Sequence, residues 1–179
     1  MSLALRIKIA SEIRGQFTLR SGKTSDRYFD KYRFEADPRL LSDVTKEMAS
    51  LIPQGTEVIC GLEMGGIPVV TMLSHHTDIP AAFIRKQAKE HGTCKYAEGA
   101  DLNNKRIVLI EDVLSSGGAI ADATRMLRED GVEVETAICA IDRETGGLEK
   151  LQDIGIALIS LLKASDIDEL TKTSQPPAP

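Results

Sequence analysis

Hydrophobic positions along the chain follow two periods in turn. Residues 107–110, Ile-Val-Leu-Ile, form an unbroken apolar run rich in β-branched side chains, the pattern of a strand buried on both faces of a parallel sheet. Runs at 58–60, 81–84, 156–162 and 132–141, the last with its buried part at 137–141, read the same way. Between them the period lengthens to that of a helix. Leu40, Leu41, Val44, Met48 and Leu51 share one face behind the Asp37-Pro38 start signal, and Pro53 closes the segment. A helix over 67–76 tolerates Pro68 in its first turn. Ile120, Ala123 and Leu127 mark another, stopped at Gly131, and Leu148, Leu151 and Ile154 a short one. At the N-terminus Leu3, Ile7, Ala10 and Ile13 predict a helix over 3–14 with Gly15 as its stop. The period then drops to two: Phe17 and Leu19, a turn at 21–25, then Tyr28, Asp30, Tyr32 and Phe34 predict an antiparallel ribbon. Ser165 caps a last predicted helix at 166–170, and the polar, proline-rich 174–179 is expected to be a disordered tail.

Strands alternating with helices predict an α/β fold: a single domain over 1–173 with a central, mainly parallel sheet flanked by helices and joined by right-handed crossovers. No repeat or linker interrupts it. In such a sheet ligands bind outside the C-terminal strand ends. That edge would gather 63–66, 85–91, 111–118 and 142–143. The segment 87–104 is polar, carries Gly92 and Gly99, and has no apolar period, so it reads as a long loop of the kind that serves as a lid or binding loop.

Composition removes several classes of function. A formal charge of −5 over 179 residues, with no long basic run, argues against nucleic acid as a partner, and an aromatic content of 4% without Trp argues against a stacking platform. Five of the seven aromatics, Phe17, Tyr28, Phe29, Tyr32 and Phe34, nevertheless sit in the ribbon. Cys60, Cys94 and Cys139 lie far apart without a C-x-x-C spacing, so neither a disulfide framework nor a zinc site is indicated. His75 and His76 suit a solvated helix end, favoured by the dipole, better than a metal site. No apolar run approaches the ~20 residues of a spanning helix, and no signal-peptide pattern opens the chain. The expectation is a soluble cytoplasmic protein with no membrane partner.

The chemistry concentrates in residues 105–119, KRIVLIEDVLSSGGA. A helix entered through Ser115-Ser116-Gly117-Gly118 offers unpaired backbone N–H groups and hydroxyls at its positive end, which suits a phosphate. Glu111 and Asp112 just before it would repel a phosphate, so they should face sugar hydroxyls or a metal carried by the ligand. A phosphorylated sugar fits better than a nucleoside triphosphate, because there is no Gly-Lys-Ser/Thr element, and GxGxxG is absent too. Arg85, Lys86, Lys89 and His91 bring cationic groups together directly after a buried strand in an acidic chain.

The stretch VLIEDVLSSGGA resembles the phosphoribosyl-pyrophosphate signature of type I phosphoribosyltransferases. Three further segments, FTLRSGKTSDRYFD, FIRKQAKEHGT and AIDRETGG, together with GLEMGGIP, narrow the resemblance to the orotate phosphoribosyltransferases over residues 17–147. The resemblance implies transfer of ribose 5-phosphate from phosphoribosyl pyrophosphate to orotate, giving orotidine monophosphate in pyrimidine biosynthesis. Mg²⁺ would be carried by substrate oxygens and water with no direct protein ligand. It also implies a homodimer, in which Lys86, Lys89 and His91 ride a lid over the neighbouring subunit's site and absorb charge on the departing pyrophosphate.

By the same resemblance Glu111 and Asp112 hold the ribose hydroxyls, with Asp112 counted among the catalytic groups beside Lys86, Lys89 and His91. Val113, Leu114, Ser115, Ser116, Gly117, Gly118 and Ala119 bind the 5-phosphate, and Arg20 and Arg85 add cations. Tyr28 and Phe29 flank the orotate, Ser115 hydrogen-bonds it, and Arg143 meets the base or its carboxylate, each charge-assisted contact contributing roughly 1.5 to 3 kcal/mol. The ribbon, about 1–36, becomes a hood over the ligand. Ser115-Ser116 stands where a Thr-containing pair is common. Met64-Gly65 replaces an aromatic and a lysine of some members, and Asp30 and Arg33 add charge to the hood. A purine phosphoribosyltransferase and a non-catalytic phosphoribosyl-pyrophosphate sensor remain the alternatives.

Overall fold

The computed structural model describes residues 1–18, 22, 24–92 and 95–172; Leu19, Arg20, Ser21, Cys94 and the tail at 174–179 lie outside them. From the N-terminus, α1 (Leu3–Ser11) leads into the hairpin of β1 (Glu12–Thr18) and β2 (Thr24–Phe29), then α2 (Lys31–Glu35) and α3 (Pro38–Ala49). There follow β3 (Val58–Leu62), α4 (Glu63–Thr77), β4 (Ala81–Ile84), β5 (Ala97–Gly99) and β6 (Ile107–Leu114). The chain continues through α5 (Gly118–Glu129), β7 (Val134–Asp142), α6 (Gly147–Asp153), β8 (Ala157–Lys163) and α7 (Ala164–Lys172).

The main sheet has the order β5-β4-β3-β6-β7-β8. All neighbours in it are parallel except β5, which runs antiparallel on β4. The chain steps outward from β3 to β4, returns across the sheet to β6 and then proceeds the other way. The C-terminal ends of β3 and β6 therefore flank a topological switch point, where open α/β sheets bind ligands. Both faces of the sheet are covered, which is why its strands read as continuous apolar runs. Leu109, Cys60 and Cys139 pack against Ile120, Ala123 and Leu127 of α5 and Leu151 of α6. On the other face Val108, Ile110 and Ile138 meet α1, α3 and α4 through Ile7, Val44, Met48, Val69 and Leu73.

Several boundaries differ from expectation for local reasons. The first helix ends at Ser11, not 14, because Glu12 and Ile13 pair with Phe29 and Tyr28 in the hairpin. The ribbon stops at Phe29: the Asp30 carboxylate accepts from the Tyr32 N–H at 3.2 Å and starts α2, so Tyr32 and Phe34 are helical and Phe34 is fully buried. The helix expected from 67 already begins at Glu63, and the loop 87–104 contains β5, held antiparallel to β4. β6 continues past its apolar run through both acids to Leu114, paired with β7 as far as Asp142. The last helix begins at Ala164, so Ser165 lies inside it instead of capping it, and the Asp166 carboxylate accepts from the Lys163 N–H at 2.9 Å at the helix start.

Candidate active site

The four strand-end segments do share one edge. The register pairs Leu62 with Ile84, Gly61 with Ile110 and Leu114 with Asp142, so the residues that follow emerge side by side. The Lys86 N–H donates to the Glu63 carboxylate, tying the β4 end to the β3 end, and the Arg143 N–H donates to the Leu114 carbonyl at 2.9 Å. A cavity of 260 Å³ lies between Glu63, Arg85 and Lys86 on one side and Ser116, Gly118 and Ala119 on the other. The phosphate-loop candidates Val113, Leu114, Ser115, Ser116, Gly117, Gly118 and Ala119, with Glu111, surround an adjoining space of 200 Å³.

Local geometry makes this loop an open helix end. Gly117 takes φ +70° as the residue before α5, and no side chain caps that helix. Its first N–H groups are therefore available to an anion, reinforced by the helix dipole. A Cβ on Gly117 would stand 3.0 Å from the Gly147 carbonyl oxygen, so the left-handed turn and the close approach of α6 both require glycine.

Tyr28 and Phe29 of β2 face Arg143 across a separate cavity of 520 Å³. Phe17 braces Tyr28, ring to ring at 5.4 Å. Ser115 does not line this cavity; it stands with the phosphate loop. Residues from the two terminal helices do line it, among them Lys8, Ile167 and Asp168, and no motif pointed to them. Lys8 sits between Asp168 at 3.3 Å and Glu12 at 3.7 Å.

The cationic loop is divided. Arg85 and Lys86 reach the 260 Å³ cavity, whereas Lys89 and His91 do not line it. The Lys89 ammonium pairs with Glu98 of β5 at 2.6 Å, and its N–H donates to the Lys95 carbonyl at 3.3 Å. Arg20 lies outside the described residues.

The acid pair is set in a cluster that sequence reasoning missed. Asp112 is 0% exposed and Glu35 of α2 is 7% exposed. Both oxygens of each, and one of Glu111, are buried. Lys31, also from α2, places its ammonium 2.7 Å from the Asp112 carboxylate. Burial, then the hydrogen bond and charge of Asp112, push the Glu35 carboxyl up to about 9. Burial and the Asp112 charge likewise raise Glu111 well above the ordinary carboxyl range. Burial opposes ionisation of Asp112, but the Glu35 hydrogen bond and the Lys31 ammonium outweigh it and hold Asp112 below its usual value. The only sequence trace of this cluster was a lysine and a glutamate in a segment that also reads as strand.

Among the described residues no helix is long and apolar enough to cross a membrane. The phosphoribosyl transferase domain family model matches residues 33–159. The chain is 50% identical over 167 residues to the orotate phosphoribosyltransferase of Nocardioides sp., covering 93% of each protein. The crystal structure of Mycobacterium tuberculosis orotate phosphoribosyltransferase in complex with Fe(III) dicitrate superposes with a TM-score of 0.84 at 30% identity, covering 92% of this chain and 96% of that one. The same M. tuberculosis enzyme in complex with phosphoribosyl pyrophosphate gives a TM-score of 0.80 at 27% identity, covering 93% and 96%. With its open α5 end at the switch point and these likenesses over nearly its whole length, the chain belongs to the phosphoribosyltransferase family, on its orotate phosphoribosyltransferase branch.

Proposed function

We propose that the protein transfers the ribose 5-phosphate group of phosphoribosyl pyrophosphate to a ring nitrogen of orotate, a step of pyrimidine biosynthesis, as a cytoplasmic homodimer. The observation that carries this reading is the division of one sheet edge into two cavities. One has the open α5 N-terminus facing Arg85 and Lys86, and the other has Tyr28 and Phe29 facing Arg143. The first matches an anionic phosphosugar, the second a flat ring bearing a carboxylate.

Within that reading the loop 113–119 holds the 5-phosphate, and Glu111 and Asp112 hold the ribose hydroxyls, Asp112 as the charged acceptor. The bond from the anomeric carbon to pyrophosphate breaks as the bond to the base nitrogen forms, so negative charge grows on the leaving group. Arg85 and Lys86 stand at the cavity where it would grow; Lys89 and His91 join only if the loop leaves its contacts with β5. Such a movement would also exclude water, the competing nucleophile. The oxygen-rich edge suits a hard cation, but Asp112 is committed to Lys31, so the residues fit Mg²⁺ held by substrate oxygens and water rather than by direct protein ligands. When bound there, Mg²⁺ neutralises pyrophosphate charge.

Incubation with phosphoribosyl pyrophosphate, Mg²⁺ and single bases tests the assignment. Turnover is expected with orotate. Turnover with hypoxanthine or xanthine but not orotate would overturn it.

A further inference from the structure

Three carboxyls, Glu35, Glu111 and Asp112, share the buried space beneath α2, and Lys31 is the one cation paired with any of them among the described residues. Glu63 at the start of α4 adds a further negative charge felt by Glu111, and Tyr32 is the other titratable neighbour of Lys31. The pairing is built into the fold. Asp30 caps α2 and aims its first turn, and Phe34, fully buried, fixes the helix to the core. On the opposite side Gly65 leaves room: a Cβ there would collide with the Asp112 carboxylate and stand 2.6 Å from the Lys31 ammonium. The Lys31 side chain is 30% exposed while that of Asp112 is 0% exposed.

We propose that Lys31 is a positioning residue for phosphoribosyl transfer: from the hood helix its ammonium keeps the Asp112 carboxylate charged and oriented for the ribose hydroxyls. Glu35, buried in the same space, adds to the crowding of carboxyls that the lysine balances. This rests on the reading of Asp112 as a ribose-binding acid. Without the lysine, three crowded carboxyls have no counter-charge, and Asp112 takes up a proton closer to neutrality. A protonated Asp112 accepts poorly from a hydroxyl. Burial works against the Lys31 charge, but the Asp112 charge and hydrogen bond more than offset it and raise the lysine, so the pair stays ionised well above neutral pH.

The test is the pH profile of kcat/KM for phosphoribosyl pyrophosphate in the wild type, Lys31→Met and Lys31→Arg. The acid limb of Lys31→Met is expected to lie ~1–3 pH units above that of the wild type, a loss of about tenfold or more on the acid side that recovers as pH rises. Lys31→Arg, which keeps the cation, should return the limb towards the wild-type position. A uniform loss at every pH, or an arginine variant whose limb lies with that of methionine, overturns the proposal. If Lys31→Met does not fold, Lys31→Gln carries the same test. Calorimetric binding of phosphoribosyl pyrophosphate over the same pH range reads the limb without turnover. A wild-type protein that binds it but leaves orotate untouched would sink the assigned reaction and leave this inference standing.

Discussion

Replacing Glu35 by glutamine isolates the proton held in the acid cluster. An ordinary glutamate titrates at 4.5, whereas Glu35 is pushed up to about 9, first by burial and then by Asp112. Between those values the folded protein keeps a proton that the unfolded chain has lost. The contribution of Glu35 to stability is therefore complete below about pH 4.5 and is lost progressively as pH rises towards 9. At about 1.4 kcal/mol per pH unit, keeping it protonated at pH 7 costs about 3 kcal/mol. A glutamine in its place would be neutral in both states and still offers Asp112 an N–H donor from the same position. The stability of Glu35→Gln relative to wild type should accordingly rise from near zero at about pH 4.5 to about 3 kcal/mol at pH 7. For a chain of this size that corresponds to about 2–4 °C in Tm per kcal/mol. Urea unfolding at a series of pH values from 5 to 8 measures it. A difference that does not change with pH would show that Glu35 titrates normally and that the cluster does not share a proton as argued.

Lys89→Ala removes an ion pair between partly exposed groups, Lys89 and Glu98, worth about 0–1 kcal/mol, so thermal stability should barely change. Turnover should fall ~10²–10³-fold, with a much smaller effect on phosphoribosyl pyrophosphate binding; equal losses in both would refute a role confined to the transition state. Mixing Lys89→Ala with Asp112→Ala subunits should restore part of the activity if loops act across a dimer, and verified mixed dimers without recovery would assign each loop to its own subunit. Gly117→Ala forces a left-handed conformation and crowds the Gly147 carbonyl, which should cost about 1–2 kcal/mol in a melting experiment and weaken phosphoribosyl pyrophosphate binding. Unchanged melting and binding would remove the loop from the phosphate site.

What could be read from the sequence was whatever local chemistry decides. The strand at Ile107 to Ile110 announces itself because both faces are covered, and Asp37-Pro38 starts α3 as expected, with the Asp37 carboxylate accepting from the Arg39 and Leu40 N–H groups. The acids and small residues of 111–119 needed no partner to be recognised. Tyr28, Asp30, Tyr32 and Phe34, by contrast, alternate as a strand would; only the Asp30 cap turns the second half into α2. With that turn Lys31 and Glu35 move from a ribbon to the underside of the acid pair, a contact across the fold that no local pattern encodes. Lys8 and Asp168 meet at a separation of 160 residues, and β5 is three residues long with no apolar period, so neither left a signal.

The position of α2 changes what the hood is for. As a bare ribbon it would contribute Tyr28 and Phe29 to the base cavity and nothing to the sugar. Because β2 runs through Asp30 directly into α2, the aromatic pair and Lys31 belong to one short segment. That segment is anchored at one end by the Asp30 N–H donating to the Ser11 carbonyl at 2.9 Å and at the other by buried Phe34. A displacement of the hood that moves the aromatics also moves the counter-ion of Asp112. On the proposed reading the base half and the ribose half of the site are set by the same few residues, and Gly65 keeps the space in which Lys31 and Asp112 meet. On the proposed reading, a hood exchanged for one with the same aromatics but without Lys31 and Glu35 would present the base to a sugar site whose acid had lost its counter-charge.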